Sequence, residues 1–596
     1  LLAAALALGV APAVATAAPH HAHPSSSAKF AAARSAWLAE RARLGAHLPL
    51  AGRYGADVAG GSGAAFDKYV DDSAYLEPAG DLDRDGGQDF VDIRDHNEFD
   101  DTVGTFTESV RLEAHRGRDG AKLWSVSIPS ATWIYVTFAK TGAKGLPGVL
   151  VTAYGGAGAD AIVAGGGQDE ALLYSYDNTG TLVFTKRLEG GEAGAPGGYG
   201  YTFDEIDGLL DANAGGGTDI VLSSIAGGGA YDPTDTADVS RERIQTSIVD
   251  GATGTERMLG DAIVTDGSLT YGVGLGDLDH DKLDDVGRIS GVAGKPSLTA
   301  LSSATGKALW SYAAKSPAYW GVDMLSDVTG DGVRDVSVLS FSESGAETVT
   351  LLDGKTGKAR WTKAGSRLFV IGNADRKRGD EVVVGSNVGS SASGGSIGFT
   401  TAAYTAAGKR LWSVTRKVAK PSSSDKSYTR SYGPIGDANL DGVAEIGYGL
   451  STGQGSKEHR DYGAIDGRTG RVSRDPVKDM WGTSVAIDGR GSDAYTRTLK
   501  GGLLTVTAWR GDRPSPLWTM SVKASGDVYS SYGTYADKDR CGDLLVSYGG
   551  DSGKTTLLIS GATAKPVWAI TRRGDAAATV SHPAAKKVRR FGPAAC

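Results

Sequence analysis

The sequence predicts an all-β fold, a β-propeller of four-stranded antiparallel blades, and three observations predict it. An acidic loop followed by an alternating apolar run recurs along the chain. A glycine turn leading into a tryptophan alternates with that loop. Glycine itself is abundant, 87 of 596 residues, without a collagen-like period, as short strands joined by tight turns require.

The acidic loop first reads "GDLDRDGGQDFVDI" from Gly80 and returns as "GDLDHDKLDDVGRI" from Gly276, "SDVTGDGVRDVSVL" from Ser326 and "GDANLDGVAEIGYG" from Gly436. Oxygen-bearing side chains stand at relative positions 1, 3, 5 and 9 after the opening Gly or Ser. They are Asp81, Asp83, Asp85 and Asp89; Asp277, Asp279, Asp281 and Asp285; Asp327, Thr329, Asp331 and Asp335; and Asp437, Asn439, Asp441 and Glu445. Weaker copies carry Asp211, Asn213 and Asp219; Asn373, Asp375 and Glu381; and Asp537, Asp539 and Asp543. Very degenerate versions lie near Lys140 and Asp488. That makes seven to nine repeat units on this count, roughly fifty to seventy residues apart, in the period range of propeller blades.

The second motif is "SSATGKALW" ending at Trp310, "LDGKTGKARW" at Trp361 and "TAAGKRLW" at Trp412, with looser versions at Trp124, Trp518 and Trp568. A glycine in a left-handed turn followed by a large aromatic is hairpin chemistry, and these tryptophans read as core or inter-blade packing. Upstream of the acidic position stand aromatic–Gly pairs, among them Tyr271-Gly272, Trp320-Gly321 and Tyr432-Gly433. Each unit thus reads as strand, acidic loop, strand, hairpin and Trp-bearing strand, about one four-stranded blade.

The segments outside the repeat read differently. Residues 1–17, "LLAAALALGVAPAVATA", are apolar, too short for a membrane span and end on a small-residue cleavage pattern, as in a secretory signal peptide lacking its charged start. Residues 18–73 hold "HHAHPSSS", a weak site for Cu or Zn, and then helix formers with Phe30, Ala33, Trp37 and Leu44 along one face, a short N-terminal helix. The propeller is expected over 74–573, and 574–596 is a locally basic tail read as a solvated terminus. Over the whole chain 62 Lys and Arg face 70 Asp and Glu, a net charge of −8 that argues against a nucleic-acid partner, and no later run approaches the length of a membrane span. Cys541 and Cys596, the two cysteines, fit a disulfide in an oxidising compartment or two free thiols. The expected location is extracellular.

Charge explains why the acidic loops need a partner. Two bare carboxylates 4 Å apart repel by about 4 kcal/mol at an effective dielectric of 20, and a divalent cation reverses the sign. Oxygen ligands without His or Cys favour Ca²⁺ over a transition metal, and a flexible loop suits its variable coordination better than that of Mg²⁺. The loop is no EF-hand, because it lacks the bidentate Glu at position 12 and runs into a strand. The competing reading is a set of Asx turns in which Asp side chains bond local N–H groups. In the copy from Gly372, Lys377 stands at position 5, where its ammonium can replace the cation.

Aromatic–Gly, an Asp-rich loop and a strand ending in Gly, over about Ala74 to Arg573, resemble the FG-GAP repeat, related to the VCBS repeat and the integrin α-chain propeller. The resemblance implies a β-propeller with calcium in its Asp-rich loops, although integrin-type propellers usually have seven blades. The Thr-Gly-x-x-x-Trp turns also resemble quinoprotein-like propeller repeats. With Ca²⁺ as cofactor, the expected function is that of an extracellular binding or adhesion module for a glycan or protein partner. The alternative is an exported polysaccharide lyase or hydrolase on the same scaffold. "GGSIG" around Ser396, "GLSTG" around Ser451 and "GGDSGKTT" from Gly549 resemble catalytic loops, but none precedes a helix pattern.

Overall fold

A computed structural model describes residues 68–591 apart from short stretches between strands, the longest being 155–170 and 229–241. The expected N-terminal helix, the signal segment and Cys596 lie outside the described residues. Forty strands form nine antiparallel sheets among the described residues, which is a nine-bladed β-propeller. Blade 1 spans 68–128, blade 2 133–188, blade 3 190–265, blade 4 271–313 and blade 5 318–364. Blade 6 spans 367–419, blade 7 428–474, blade 8 481–523 and blade 9 527–572. These are the nine units counted from the acidic loops, including the two degenerate ones near Lys140 and Asp488.

Within a blade the strands pair in chain order, and the acidic loop joins the first to the second. Blade 3 departs by carrying six strands. The tail also contributes structure. Thr579–Ser581 pairs with the fourth strand of blade 9, and Lys587–Arg590, though exposed, pairs with the fourth strand of blade 8.

The core lies between blades. Each of eight apolar clusters joins residues of two adjacent blades, for example Leu275, Leu298 and Trp310 of blade 4 with Val322, Val336 and Leu352 of blade 5. A blade alternates apolar residues on both faces and cannot bury them alone, so stacking its neighbours is what creates the core. The seam between blades 9 and 1 is filled the same way, with Trp568 at 0% exposure and its ring edge-on to Phe90.

The tryptophans tie this stacking together. Trp124, Trp310, Trp361, Trp412, Trp518 and Trp568 each donate the indole N–H to a carbonyl in the hairpin turn of the next blade, at Asn178, Gly354, Ala406, Gly467, Gly561 and Gly117. Turn glycines lie flat on these rings: a Cβ on Gly357 would stand 2.5 Å from Trp310, and one on Gly470 2.8 Å from Trp412. Both have positive φ, so shape and backbone select glycine together. The inter-blade role expected of the tryptophans is what the structure shows.

Candidate metal-binding loops

The acidic loops share one backbone. A glycine with φ between 70° and 86° opens the loops at Gly80, Gly276, Gly372 and Gly436, directly after a register shift in the first strand of the blade. Position 4 is again left-handed, at Arg84, His280, Gly330, Arg376 and Leu440, and so is position 6 at Gly86, Lys282, Gly332 and Gly442. Non-glycine residues adopt this conformation reluctantly, so its recurrence marks a fold imposed by the loop's own hydrogen bonds.

Position 1 makes some of those bonds. Asp81 Oδ2 accepts the N–H of Gly86 at 2.8 Å, Asp277 Oδ2 that of Lys282 at 3.0 Å, and Asp437 Oδ2 that of Gly442 at 2.8 Å. Asp327 accepts three, from Gly330, Asp331 and Gly332. Position 5 bonds locally too, as in Asp85 to the N–H of Gly87 and Asp331 to that of Val333. Asx turns are therefore present in the loops.

Position 9 has a different job. Asp89, Asp285 and Asp335 are 0% exposed and accept backbone N–H groups from two sides. One oxygen takes an N–H of the loop itself, from Leu82, Leu278 or Thr329 at 2.6–2.8 Å. The other takes an N–H of the blade's hairpin turn, from Gly117, Ser303 or Gly354 at 2.9–3.1 Å. Asp219 and Asp543 do the same in blade 3, where position 5 is Gly215, and in blade 9, where position 1 is Tyr535. Glu381 and Glu445 keep the loop-side bonds. The ninth residue thus staples the acidic loop to its blade, with or without a full ligand set. Burial pushes its carboxyl up, to about 6 for Asp89, Asp285 and Asp335 and about 7 for Glu445, although the N–H donors pull the other way.

Three of the four expected ligand sets come together. Asp81, Asp83 and Asp85; Asp277, Asp279 and Asp285; and Asp437, Asp441 and Glu445 each offer ligand oxygens within 4.8 Å of one another. Asp277 Oδ1 is enclosed without a hydrogen-bond partner; Asp81 Oδ1 is enclosed likewise, beside loop carboxylates that Arg116 and Arg118 already neutralise. Each set leaves one expected member aside. The oxygens of Asp89 bond to backbone, Asp281 is exposed and caps Leu283, and Asn439 donates its amide to Glu445 and Asp466. The Asp327 set does not converge in this way: Thr329 donates its hydroxyl to Asp335, and the oxygens of Asp327 are occupied by N–H groups. In blade 6, Lys377 Nζ lies 3.1 Å from Asp375 Oδ2, in the charge-neutralising place expected of it. His280 is exposed, as expected at position 4.

A fourth convergence went unread in the sequence. Asp92, Glu113 and His115, all at 1% exposure or less, lie together at the seam of blades 1 and 9. Arg94 donates to Asp92 at 2.8 Å and to Glu113 at 2.6 Å, Arg572 of blade 9 donates to Asp92, and Arg111 lies 2.8 Å from Glu113. Guanidinium groups already balance these carboxylates, so the cluster is an ion-pair network. Nothing but the alternation of "FVDIR" marks Asp92 and Arg94 in the sequence.

The catalytic look-alikes dissolve into strands: Ser396 opens Ser396–Tyr404, Ser451 lies in Glu445–Thr452, and Gly553–Ile559 carries the phosphate-loop look-alike. Cys541 is buried. No helix among the described residues is long and apolar enough to cross a membrane.

No protein-family model matches the chain, and no curated protein matches it in sequence. Among solved structures, the chain is similar to Saccharomyces cerevisiae Sqt1 at 11% identity and a TM-score of 0.30, covering 78% of this chain and 92% of that one. It is also similar to the Dos1 propeller, at 12% identity and a TM-score of 0.29 over 66% of this chain and 94% of that one. The nine-bladed architecture is read from the strand pairing itself, and on that pairing the chain is a propeller.

Proposed function

We propose that this protein is a secreted, calcium-stabilised FG-GAP-like propeller that acts as an extracellular binding module for a glycan or protein partner. The observation that carries the calcium part is the convergence of Asp277, Asp279 and Asp285, with Asp277 Oδ1 enclosed and without a hydrogen-bond partner. Bound there, Ca²⁺ would neutralise the loop between the first two strands of blade 4. The chain's own residues do the rest: Asp285 staples the loop to Ser303, and tryptophans fix six of the blades to the next.

The binding part rests on the scaffold. A propeller presents loops on a rigid ring, and the acidic residues that recur here have roles within their own blades. Export is supported by the apolar opening of the sequence and its small-residue cleavage pattern.

A glycan array probed with and without EDTA, followed by turnover assays on any hit, tests the proposal. Calcium-dependent binding without product supports it. Release of cleaved sugar would favour the exported carbohydrate-active enzyme instead.

A further inference from the structure

The acidic loops are not equivalent, and the difference lies in a residue outside them. We infer that arginines of the hairpin turn hold the cation's place in blades 1 and 7, so that calcium is excluded from two of the four loops whose sequence fits it. This rests on the calcium reading of the loops given above.

In blade 1, Arg116 Nε donates to Asp83 Oδ2 at 2.6 Å, and Arg118 Nε lies 3.2 Å from Asp85 Oδ2. In blade 7, Arg468 Nε donates to Asp441 Oδ2 at 2.8 Å, and its Nη2 donates to the Asp441 carbonyl at 2.6 Å. The third nitrogen reaches Ala374 O of blade 6 at 2.8 Å. Arg468 spans two blades as well as neutralising a loop.

The turns share one backbone hydrogen bond, from the N–H of Gly120, Gly306, Gly357 or Gly470 to the carbonyl of Arg116, Ser302, Asp353 or Asp466, so the comparison is residue for residue. Arg118 and Arg468 follow the turn glycines Gly117 and Gly467. The equivalent residue of blade 4, after Ser303, is Ala304, whose side chain has no charge and no reach. That of blade 5, after Gly354, is Lys355, which is exposed. Among the ion pairs of the described residues, none joins Lys355 to the loop.

Electrostatics makes the two occupants exclusive. A guanidinium within 2.6–3.2 Å of a ligand oxygen occupies the direction from which a cation would approach. A cation entering beside it meets like charge. Arginine holds such a place better than lysine, because its planar fork bonds several oxygens at once and is weakly hydrated. Blade 6 shows the same substitution within the loop itself, Lys377 against Asp375.

Native mass spectrometry of the full chain, stripped of metal and then equilibrated with Ca²⁺, counts ions per folded molecule and so reports even on a variant that partly unfolds. The wild type is expected to load at most two ions. Arg468→Gln is expected to load one more, and Arg116→Gln with Arg118→Gln another, while Arg468→Lys gains less than Arg468→Gln. A wild type that already loads four ions, or glutamine variants with unchanged counts, would overturn the inference. A wild type that loads none while the variants gain ions would uphold it and sink the calcium reading of blade 4 alone.

Discussion

Arg572 in the fourth strand of blade 9 donates its Nε hydrogen to Asp92 in the second strand of blade 1, 480 positions earlier in the chain. Their side chains are 3% and 0% exposed. Beside this pair, Trp568 donates to Gly117 O at 2.6 Å, and Phe90 packs edge-on against the indole. Among the described residues the first and last blades share no strand, so these contacts hold what strand pairing would otherwise hold. Arg572→Met should leave the buried Asp92 carboxylate with Arg94 alone and lower stability by about 1.5–3 kcal/mol in urea unfolding. Replacing both, as Asp92→Asn with Arg572→Gln, should recover part of that loss.

Glycines that lie on tryptophan rings should not accept a side chain. Gly357→Ala places a Cβ 2.5 Å from Trp310 at a φ of 66° and should cost about 2–4 kcal/mol, read as a fall in melting temperature. Blade 9 supplies the control. Its turn carries Ala564 at a φ of 58°, so Ala564→Gly should change stability by less than about 1 kcal/mol.

The staple and the ligand positions should separate by mutation. Asp335→Asn weakens acceptors of loop and turn N–H groups at a fully buried site and should destabilise the protein by about 1–3 kcal/mol, with or without calcium. Asp279→Asn, at an exposed position in the blade 4 loop, should leave metal-free stability within about 0.5 kcal/mol and weaken the calcium response. Thermal melts in EDTA and in Ca²⁺ distinguish the two.

Acidity should act in an unusual direction on the metal-free protein. Asp89, Asp219, Asp285 and Asp335 have carboxyls pushed up to about 6 by burial, above their usual value of 3.8. Between those two values the folded state holds more protons than the unfolded one, so stability rises as pH falls from 7 towards 4. His115, held below its usual 6.5 by burial, opposes this as a single group. The melting temperature in EDTA should therefore be higher at pH 5 than at pH 7.5. Asp335→Asn should reduce the difference.

Much of the fold was legible because its signals are local. The opening glycine, the acidic positions and the Gly-to-Trp hairpin all lie within a single unit, and repetition exposed even the degenerate copies near Lys140 and Asp488. The seam was not legible, because Asp92 and Arg572 lie at opposite ends of the repeat and look like ordinary strand residues. Position 9 was recognisable as acidic, but its role was not. A ligand and a staple are both carboxylates, and only the N–H groups of Gly117, Ser303 and Gly354 tell them apart. Arg468 was hidden for a related reason: it lies 27 residues from Asp441, and the blade brings them together. The basic tail read as a solvated end because Lys and Arg are common there, yet a strand edge accepts them equally well.

The most direct test of the central claim is calorimetric titration of the metal-stripped protein with Ca²⁺, paired with its melting temperature before and after. The calcium account predicts saturable heat at the loops and a melting temperature that rises with Ca²⁺ and falls again with EDTA. No heat of binding together with an unchanged melting temperature would contradict it, leaving the acidic loops as Asx turns stapled to their blades.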